Sequence, residues 1–191
     1  MYINIEKNIA KFDNYILNII KRYVHNKYLD IIMPITTVMG NLGVIWILIA
    51  IILILDKPYR VVGNSIILTL IISTIVGEGI IKHIVRRVRP CNKLENINAI
   101  SLPKSYSFPS GHTLSSFAAA EMLSMYFTEY KLLFMLIAFL IALSRLYLYV
   151  HYPTDVISGI IIGVICSKII FIILQNGYIT NLNIFVQKFK I

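Results

Sequence analysis

Charged side chains are too scarce in this chain to coat a water-soluble domain. They make up 14% of the 191 residues, against about 25% in an average globular chain, while 58% are hydrophobic. That balance predicts a membrane protein. Cysteine is nearly absent as well. Its two copies, Cys91 in a loop and Cys166 inside an apolar run, exclude a disulfide framework, and neither has the Cys/His spacing of a metal site. No segment repeats, no stretch is of low complexity, and no Pro/Gly/Ser-rich linker divides the chain, whose length suits one domain. Residues 1–24 lack an uninterrupted apolar core, because Glu6, Lys7, Lys11 and Asp13 fall there, so this segment is not read as a signal peptide.

What the chain does have is long apolar runs. Five are read as spans: Ile35–Leu55, Val61–Ile81, Thr113–Phe127, Leu132–Val150 and Asp155–Leu174. A spanning helix needs about 20 mostly apolar residues. The third run is shorter, so its helix is expected to begin inside the preceding Pro109-Ser110-Gly111-His112 turn. The runs lack the alternation of a barrel, and backbone groups in lipid must be bonded internally, so helices follow. The expected fold class is all-α, a polytopic transmembrane helix bundle of about five spans plus an N-terminal amphipathic helix. Residues 1–191 are read as a single membrane-embedded domain, with 1–33 an interfacial segment, 35–174 the bundle and 175–191 a tail. Ile9, Phe12, Ile16, Ile20 and Tyr23 recur at helical spacing. That helix either lies on the membrane surface or packs on the outer end of the bundle, and the spacing favours neither.

The net charge is +9, and its distribution is narrow. Lys82, Arg86, Arg87 and Arg89 crowd into KHIVRRVRP, and Lys82, Arg86 and Arg89 share a face if the second helix continues to Pro90. Cations at a helix end can simply snorkel to the interface. They can also form an anion site, because a guanidinium pairs with phosphate oxygens. Topology separates the two readings. Span two runs into this segment and span three runs out of SFPSGH. Span four returns to the same end carrying Ser144, Arg145 and then His151, and span five leaves from Pro153–Asp155. Three distant stretches therefore converge on one mouth of the bundle, which snorkelling does not explain.

Each converging residue has a chemical use. Ser110 suits a helix N-cap, and the following N–H groups can bind an anion together with the helix dipole. Gly111 lets the backbone approach closely. Lys82, Arg89 and Arg145 supply positive charge for a phosphoryl transition state. His151 and Asp155 stand four apart. They are either a loop residue and a helix cap, or a pair in which Asp155 accepts a hydrogen bond from one ring nitrogen and leaves the other free as a nucleophile. His112 would then be the acid for the leaving oxygen. Glu78, four residues before Lys82, and Glu121, inside span three, are read as structural ion-pair partners outside the site.

The order Lys82-x6-Arg89-Pro90, Pro109-Ser110-Gly111-His112, Ser144-Arg145-x5-His151-x3-Asp155 resembles the three-part signature of the type 2 phosphatidic acid phosphatase and vanadium haloperoxidase superfamily, in its integral-membrane lipid phosphatase branch. Every signature position is filled. The resemblance implies a metal-independent phosphatase with no cofactor and a phosphohistidine intermediate. It implies that His151 is the nucleophile, that Asp155 orients it and that His112 protonates the leaving group. Lys82, Arg89, Ser110, Gly111 and Arg145 would hold the phosphate. The implied partner is a lipid phosphate or diphosphate. The small bacterial undecaprenyl diphosphate phosphatases match best in layout, with phosphatidylglycerophosphate and phosphatidic acid as competing substrates. Membrane lipids are expected around it, with no nucleic acid and no obligatory protein partner. One departure is that many members have six spans where five are counted here.

Three other classes share parts of this pattern. A proton-coupled transporter would hold its acids and histidines mid-span, not at span ends. A non-catalytic binder of anionic lipids needs the arginines but not a His-Asp pair. A vanadate-dependent oxidase would share the anion site, though a membrane bundle is an unusual setting for it. On sidedness two arguments conflict. The active end carries the larger share of the lysines and arginines, which points it to the cytoplasm. The family's recyclers of undecaprenyl carriers act on the outer face, and the expectation adopted is the outer face.

Overall fold

The computed structural model describes residues 2–93 and 105–176. The expected tail beyond residue 176, and residues 94–104 of the loop between the second and third spans, lie outside the described residues. All regular structure described is helical, in the order α1 (Tyr2–Ile19), α2 (Leu29–Met39), α3 (Val44–Leu55), α4 (Arg60–Thr74), α5 (Lys82–Val85), α6 (Gly111–Tyr126), α7 (Lys131–Tyr147) and α8 (Pro153–Gln175). A π-helical turn, Ile20–Val24, prolongs α1, and a longer one, Ile75–Ile81, joins α4 to α5.

Three continuous helical segments, Lys57–Val85, Thr128–Tyr147 and Pro153–Gln175, are long and apolar enough to cross a membrane. A fourth crossing results if α2 and α3, bent by 50° at their junction, count as one. The chain is thus a multi-pass membrane helix bundle with three to four candidate spans where the sequence predicts five. The difference has two physical sources. The first predicted span is broken at Gly40–Gly43, and α6 has only 16 residues, fewer than a full crossing needs.

Short as it is, α6 is the axis of the bundle. Every residue from Thr113 to Ser124 is buried, against α4, α7 and α8. Small residues on α8 allow the closest approach. A β-carbon at Gly163 would stand 2.5 Å from the Leu114 carbonyl oxygen, and one at Gly159 would stand 2.9 Å from that of Ser110. The opposite face of α8 carries Ile157, Ile161, Ile165, Ile169 and Ile172, all exposed at helical spacing, as a lipid-facing surface should be. The bundle interior holds hydroxyls such as Thr69, Ser73, Ser116 and Ser167. The Trp46 indole N–H donates to Ser116 Oγ at 3.1 Å, tying α3 to α6.

One end of this bundle collects α5, the start of α6, the end of α7 and the start of α8. Helix α5 stops at Val85 because Arg86 takes a left-handed conformation, φ +50°. The face that Lys82, Arg86 and Arg89 would have shared therefore does not form. Arg86 bonds the His83 carbonyl and is exposed, while Arg87 and Arg89 leave along non-helical chain. Helix α1 packs on this same end. Asp13 and Leu17 are buried, the Leu17 carbonyl accepts a hydrogen bond from the Tyr149 hydroxyl at 2.5 Å, and Ile9 and Phe12 remain 42% and 45% exposed.

The α6–α8 contact carries a direct expectation. Gly163→Ala puts a methyl group against the backbone of α6, which has no flexible side chain to give way. The helices must separate, at a cost of about 1–3 kcal/mol. Gly79→Ala, whose added methyl would meet nothing within 4 Å, is the control. Thermal unfolding in detergent micelles should show a lowered midpoint for the first and a midpoint at or above that of the wild type for the second.

Candidate active site

The converging end encloses a cavity of about 390 Å³. Six of the eight residues expected from the sequence line it: Lys82, Arg89, Gly111, His112, Arg145 and His151. Ser110 and Asp155 are fully buried behind that wall. Glu78, Asn41, Thr74, Ser105 and Ser115 complete the polar lining among the described residues.

Three of these groups are buried cations. Arg89 is the most tightly held. Its Nε donates to the Ser105 carbonyl at 2.8 Å, Nη2 to Ser105 Oγ at 2.9 Å, and Nη1 to the Val150 carbonyl at 2.9 Å. Burial lowers its pKa from the usual guanidinium value. Arg145 donates to Thr37 Oγ1 from α2, and its Nε is buried with no partner among the described residues. Lys82 Nζ lies 2.5 Å from Glu78 Oε1. Three cations thus face one carboxylate. Buried charges without full pairing are costly, so the cavity favours an added anion.

His151 follows Tyr149, a residue with φ +57°, and this turn directs the chain from α7 back over the cavity. Its ring is buried and its two nitrogens are distinct. Nδ1 lies 2.7 Å from the Ser107 carbonyl, which can only accept, so Nδ1 carries the proton. Nε2 is 3.0 Å from Arg89 Nη1, a donor, so Nε2 is the unprotonated nitrogen and accepts from the guanidinium at the cavity wall. The expected hydrogen bond from the His151 ring to Asp155 does not form, because Oδ2 is 3.7 Å from Nδ1. Asp155 is engaged elsewhere. Oδ2 accepts from the Tyr152 N–H at 2.9 Å and Oδ1 from Arg87 Nη1 at 2.6 Å. Burial lowers the His151 pKa to about 4, with the Arg89 and Arg145 charges adding to the effect and Asp155 opposing it. The ring is therefore neutral at pH 7.

The start of α6 supplies neutral donors. Ser110 occupies the N-cap position, yet its hydroxyl accepts from Thr113 Oγ1 at 2.9 Å and caps no backbone N–H. The first-turn N–H groups stay available to an anion. Glu78 sits beside them. A β-carbon at position 111 would stand 2.2 Å from Glu78 Oε1, so only glycine leaves the carboxylate its place. The pairing of Glu78 with Lys82 is as the sequence predicts, but Glu78 also lines the cavity, where the sequence predicts no part for it. The other acid, Glu121, lies 3.8 Å from Lys168.

Sequence reasoning missed the contribution of the α2–α3 junction. Asn41 Oδ1 accepts a hydrogen bond from His112 Nε2 at 2.8 Å. Asn41 precedes Leu42 and Gly43, at φ +52° and +69°, and this bend turns it toward α6. The signal was present: Gly40-Asn41-Leu42-Gly43 is turn chemistry inside an apolar run. Ser107, which fixes the His151 tautomer through its carbonyl, carried no signal, since any residue supplies a carbonyl.

Residues 60–178 match the PAP2 superfamily. An undecaprenyl-diphosphatase of Sulfolobus acidocaldarius is 31% identical over 121 residues, 62% of this chain and 58% of that protein. A decaprenylphosphoryl-5-phosphoribose phosphatase of Mycolicibacterium smegmatis is 44% identical over 80 residues, 42% of this chain and 43% of that protein. The matches thus span about half the length of these relatives. The crystal structure of Aquifex aeolicus LpxE superposes with a TM-score of 0.70 at 28% identity, covering 83% of this chain and 94% of that one.

The His151 environment sets a titration. With its folded pKa lowered to about 4, the ring should stay neutral, with the proton on Nδ1, through pH 5.5. An exposed histidine titrates near 6.5. Nitrogen-15 NMR of histidine-labelled protein in micelles should show at pH 5.5 a neutral ring with its proton on Nδ1, whose signals vanish in His151→Ala. Titration of that ring near pH 6.5 would contradict the buried tautomer.

Proposed function

The chain belongs to the PAP2 superfamily, and from that footing we propose that it is a metal-independent membrane phosphatase that hydrolyses a lipid phosphate or diphosphate through a phosphohistidine. The observation that carries this reading is the His151 ring, neutral and buried, with its Nε2 lone pair 3.0 Å from Arg89 at the wall of a cation-rich cavity. A phosphoryl group seats among Lys82, Arg89, Arg145 and the first-turn N–H groups of α6, with Glu78 giving way. The Nε2 lone pair attacks phosphorus, the bond from phosphorus to the leaving oxygen breaks, and that oxygen takes a proton from His112, which enters the step as the imidazolium that the bound phosphoryl anion favours. Water then attacks the phosphohistidine and gives its proton to His112. The P–N bond breaks, inorganic phosphate leaves and the Nε2 lone pair is restored. The cations stabilise the charge that builds on the phosphoryl oxygens. Asp155 orients His151 through the loop, by holding the Tyr152 N–H.

We take the substrate to be undecaprenyl diphosphate. Two relatives are named for enzymes acting on polyprenyl carriers, and a site at the end of an apolar bundle suits a head group whose tail stays in the bilayer. Counting α6 as a crossing gives five in this reading, within one domain, with the active end on the outer face.

Purified protein assayed with a chelator present should release inorganic phosphate from undecaprenyl diphosphate, faster than from phosphatidylglycerophosphate or phosphatidic acid. His151→Ala has no atom to accept the phosphoryl group and should be inactive on every substrate, p-nitrophenyl phosphate included. His112→Ala should lose far more activity on a lipid monophosphate than on p-nitrophenyl phosphate, whose leaving group departs without a proton. An active His151→Ala beside an inactive His112→Ala would reverse the two roles, and a strict magnesium requirement would replace the mechanism.

A further inference from the structure

The mechanism uses neither Asp13 nor Arg87, yet both are built into the support of His151. Asp13 sits on α1, 138 positions before the histidine, and its carboxylate is fully buried. A buried carboxylate needs partners, and this one has three. Oδ2 accepts from Arg87 Nη2 at 2.5 Å and from Thr154 Oγ1 at 2.8 Å, and Oδ1 accepts from the Thr154 backbone N–H at 3.0 Å. That last contact caps the first turn of α8 from a different helix. Asp155 caps the same turn from within, so the two carboxylates share the start of α8.

Arg87 joins them. Its Nη1 donates to Asp155 Oδ1 at 2.6 Å and to Thr154 Oγ1 at 2.7 Å, and its guanidinium lies 4.0 Å above the Tyr152 ring. Its backbone has a second role. The Arg87 carbonyl accepts from the Ser107 N–H at 2.8 Å, and the Ser107 carbonyl in turn accepts from His151 Nδ1 at 2.7 Å. Arg87 therefore stands behind the His151 loop by two routes, its side chain through Asp155 and its backbone through Ser107. Asp13 anchors the side-chain end.

We propose that Asp13 is a positioning residue for the nucleophile, acting through Arg87, so that the N-terminal helix is part of the catalytic apparatus. This rests on His151 being the nucleophile. Removing the anchor lets the Arg87 guanidinium and the start of α8 shift relative to the cavity, while Lys82, Arg89 and Arg145 keep their own partners. Displacement of an attacking atom by about 1 Å can cost about 100-fold in rate. The effect should fall on kcat and spare KM, because the groups that hold the phosphate are untouched.

The experiment measures kcat, KM and inhibition by inorganic phosphate for Asp13→Asn, Asp13→Glu, Arg87→Gln and the double variant Asp13→Asn/Arg87→Gln. Wild-type protein with no phosphatase activity would defeat the functional reading itself. With the wild type active, Asp13→Asn should lower kcat by about 10–100-fold, with KM and phosphate inhibition within about 3-fold of wild type. Asp13→Glu should recover part of the rate. The double variant should lose no more than the worse of the single ones, because the two residues act in series. Wild-type kcat in Asp13→Asn, or losses that multiply in the double variant, would overturn the proposal. So would a merely unstable Asp13→Asn whose remaining folded fraction, counted by active-site labelling with radioactive substrate, turns over at the wild-type rate.

Discussion

Three cations buried around one cavity, with a single carboxylate among the described residues that line it, are the constraint from which the rest of this structure follows. A lipid-embedded bundle offers little water to solvate them, so each must be held by protein dipoles until an anion arrives. Arg89 is therefore fixed by the Ser105 and Val150 carbonyls, and Arg145 leans on Thr37. Glu78 sits against Lys82 at the start of α6, where a phosphate oxygen would otherwise be stabilised. The same crowding of positive charge, together with burial, keeps His151 neutral. A single electrostatic arrangement thus makes a cavity suited to an anion and leaves an unprotonated nitrogen beside it.

Helix packing makes that arrangement possible. Gly159 and Gly163 let α8 lie against the backbone of α6, which brings two helix N-termini side by side. The Ser110 N–H donates to the Asp155 carbonyl at 3.1 Å, locking the two starts together. The α6 terminus faces the cavity with its donors uncapped, while the α8 terminus is capped twice, by Asp155 and by Asp13. One terminus is left open to bind and the other is closed to hold the His151 loop.

Much of this was legible in the residues. Lys82, Arg89, His112, Arg145 and His151 face one cavity because the order of apolar runs brings their stretches to the same end, and run order is a property of the sequence. The crossings were less legible. Hydropathy cannot see the bend at Gly40–Gly43, because the bent run is as apolar as a straight one, and it cannot tell a short central helix from a full span. Apolar spacing in α1 marked Ile9 and Phe12, which stay exposed, whereas the residue that matters for packing is the buried acid between them and Leu17. Asp13 finds its partners at Arg87 and Thr154, 74 and 141 positions away, and nothing in local pattern announces such a contact. The His151–Asp155 spacing suggested a direct bond. The actual support runs through a backbone carbonyl and a guanidinium, neither of which the spacing encodes.

The proposed attack of the His151 Nε2 lone pair on phosphorus forms a P–N bond, and that bond can be trapped. Rapid quenching of purified protein with phosphorus-32-labelled p-nitrophenyl phosphate, whose leaving group needs no proton, in a His112→Ala background that slows attack by water, is the measurement. The protein should become labelled, with the label stable in base and labile in acid, on the peptide bearing His151, and absent when His151→Ala is added. Turnover in the wild type with no trapped label under any quench, or a label that survives acid, would contradict it.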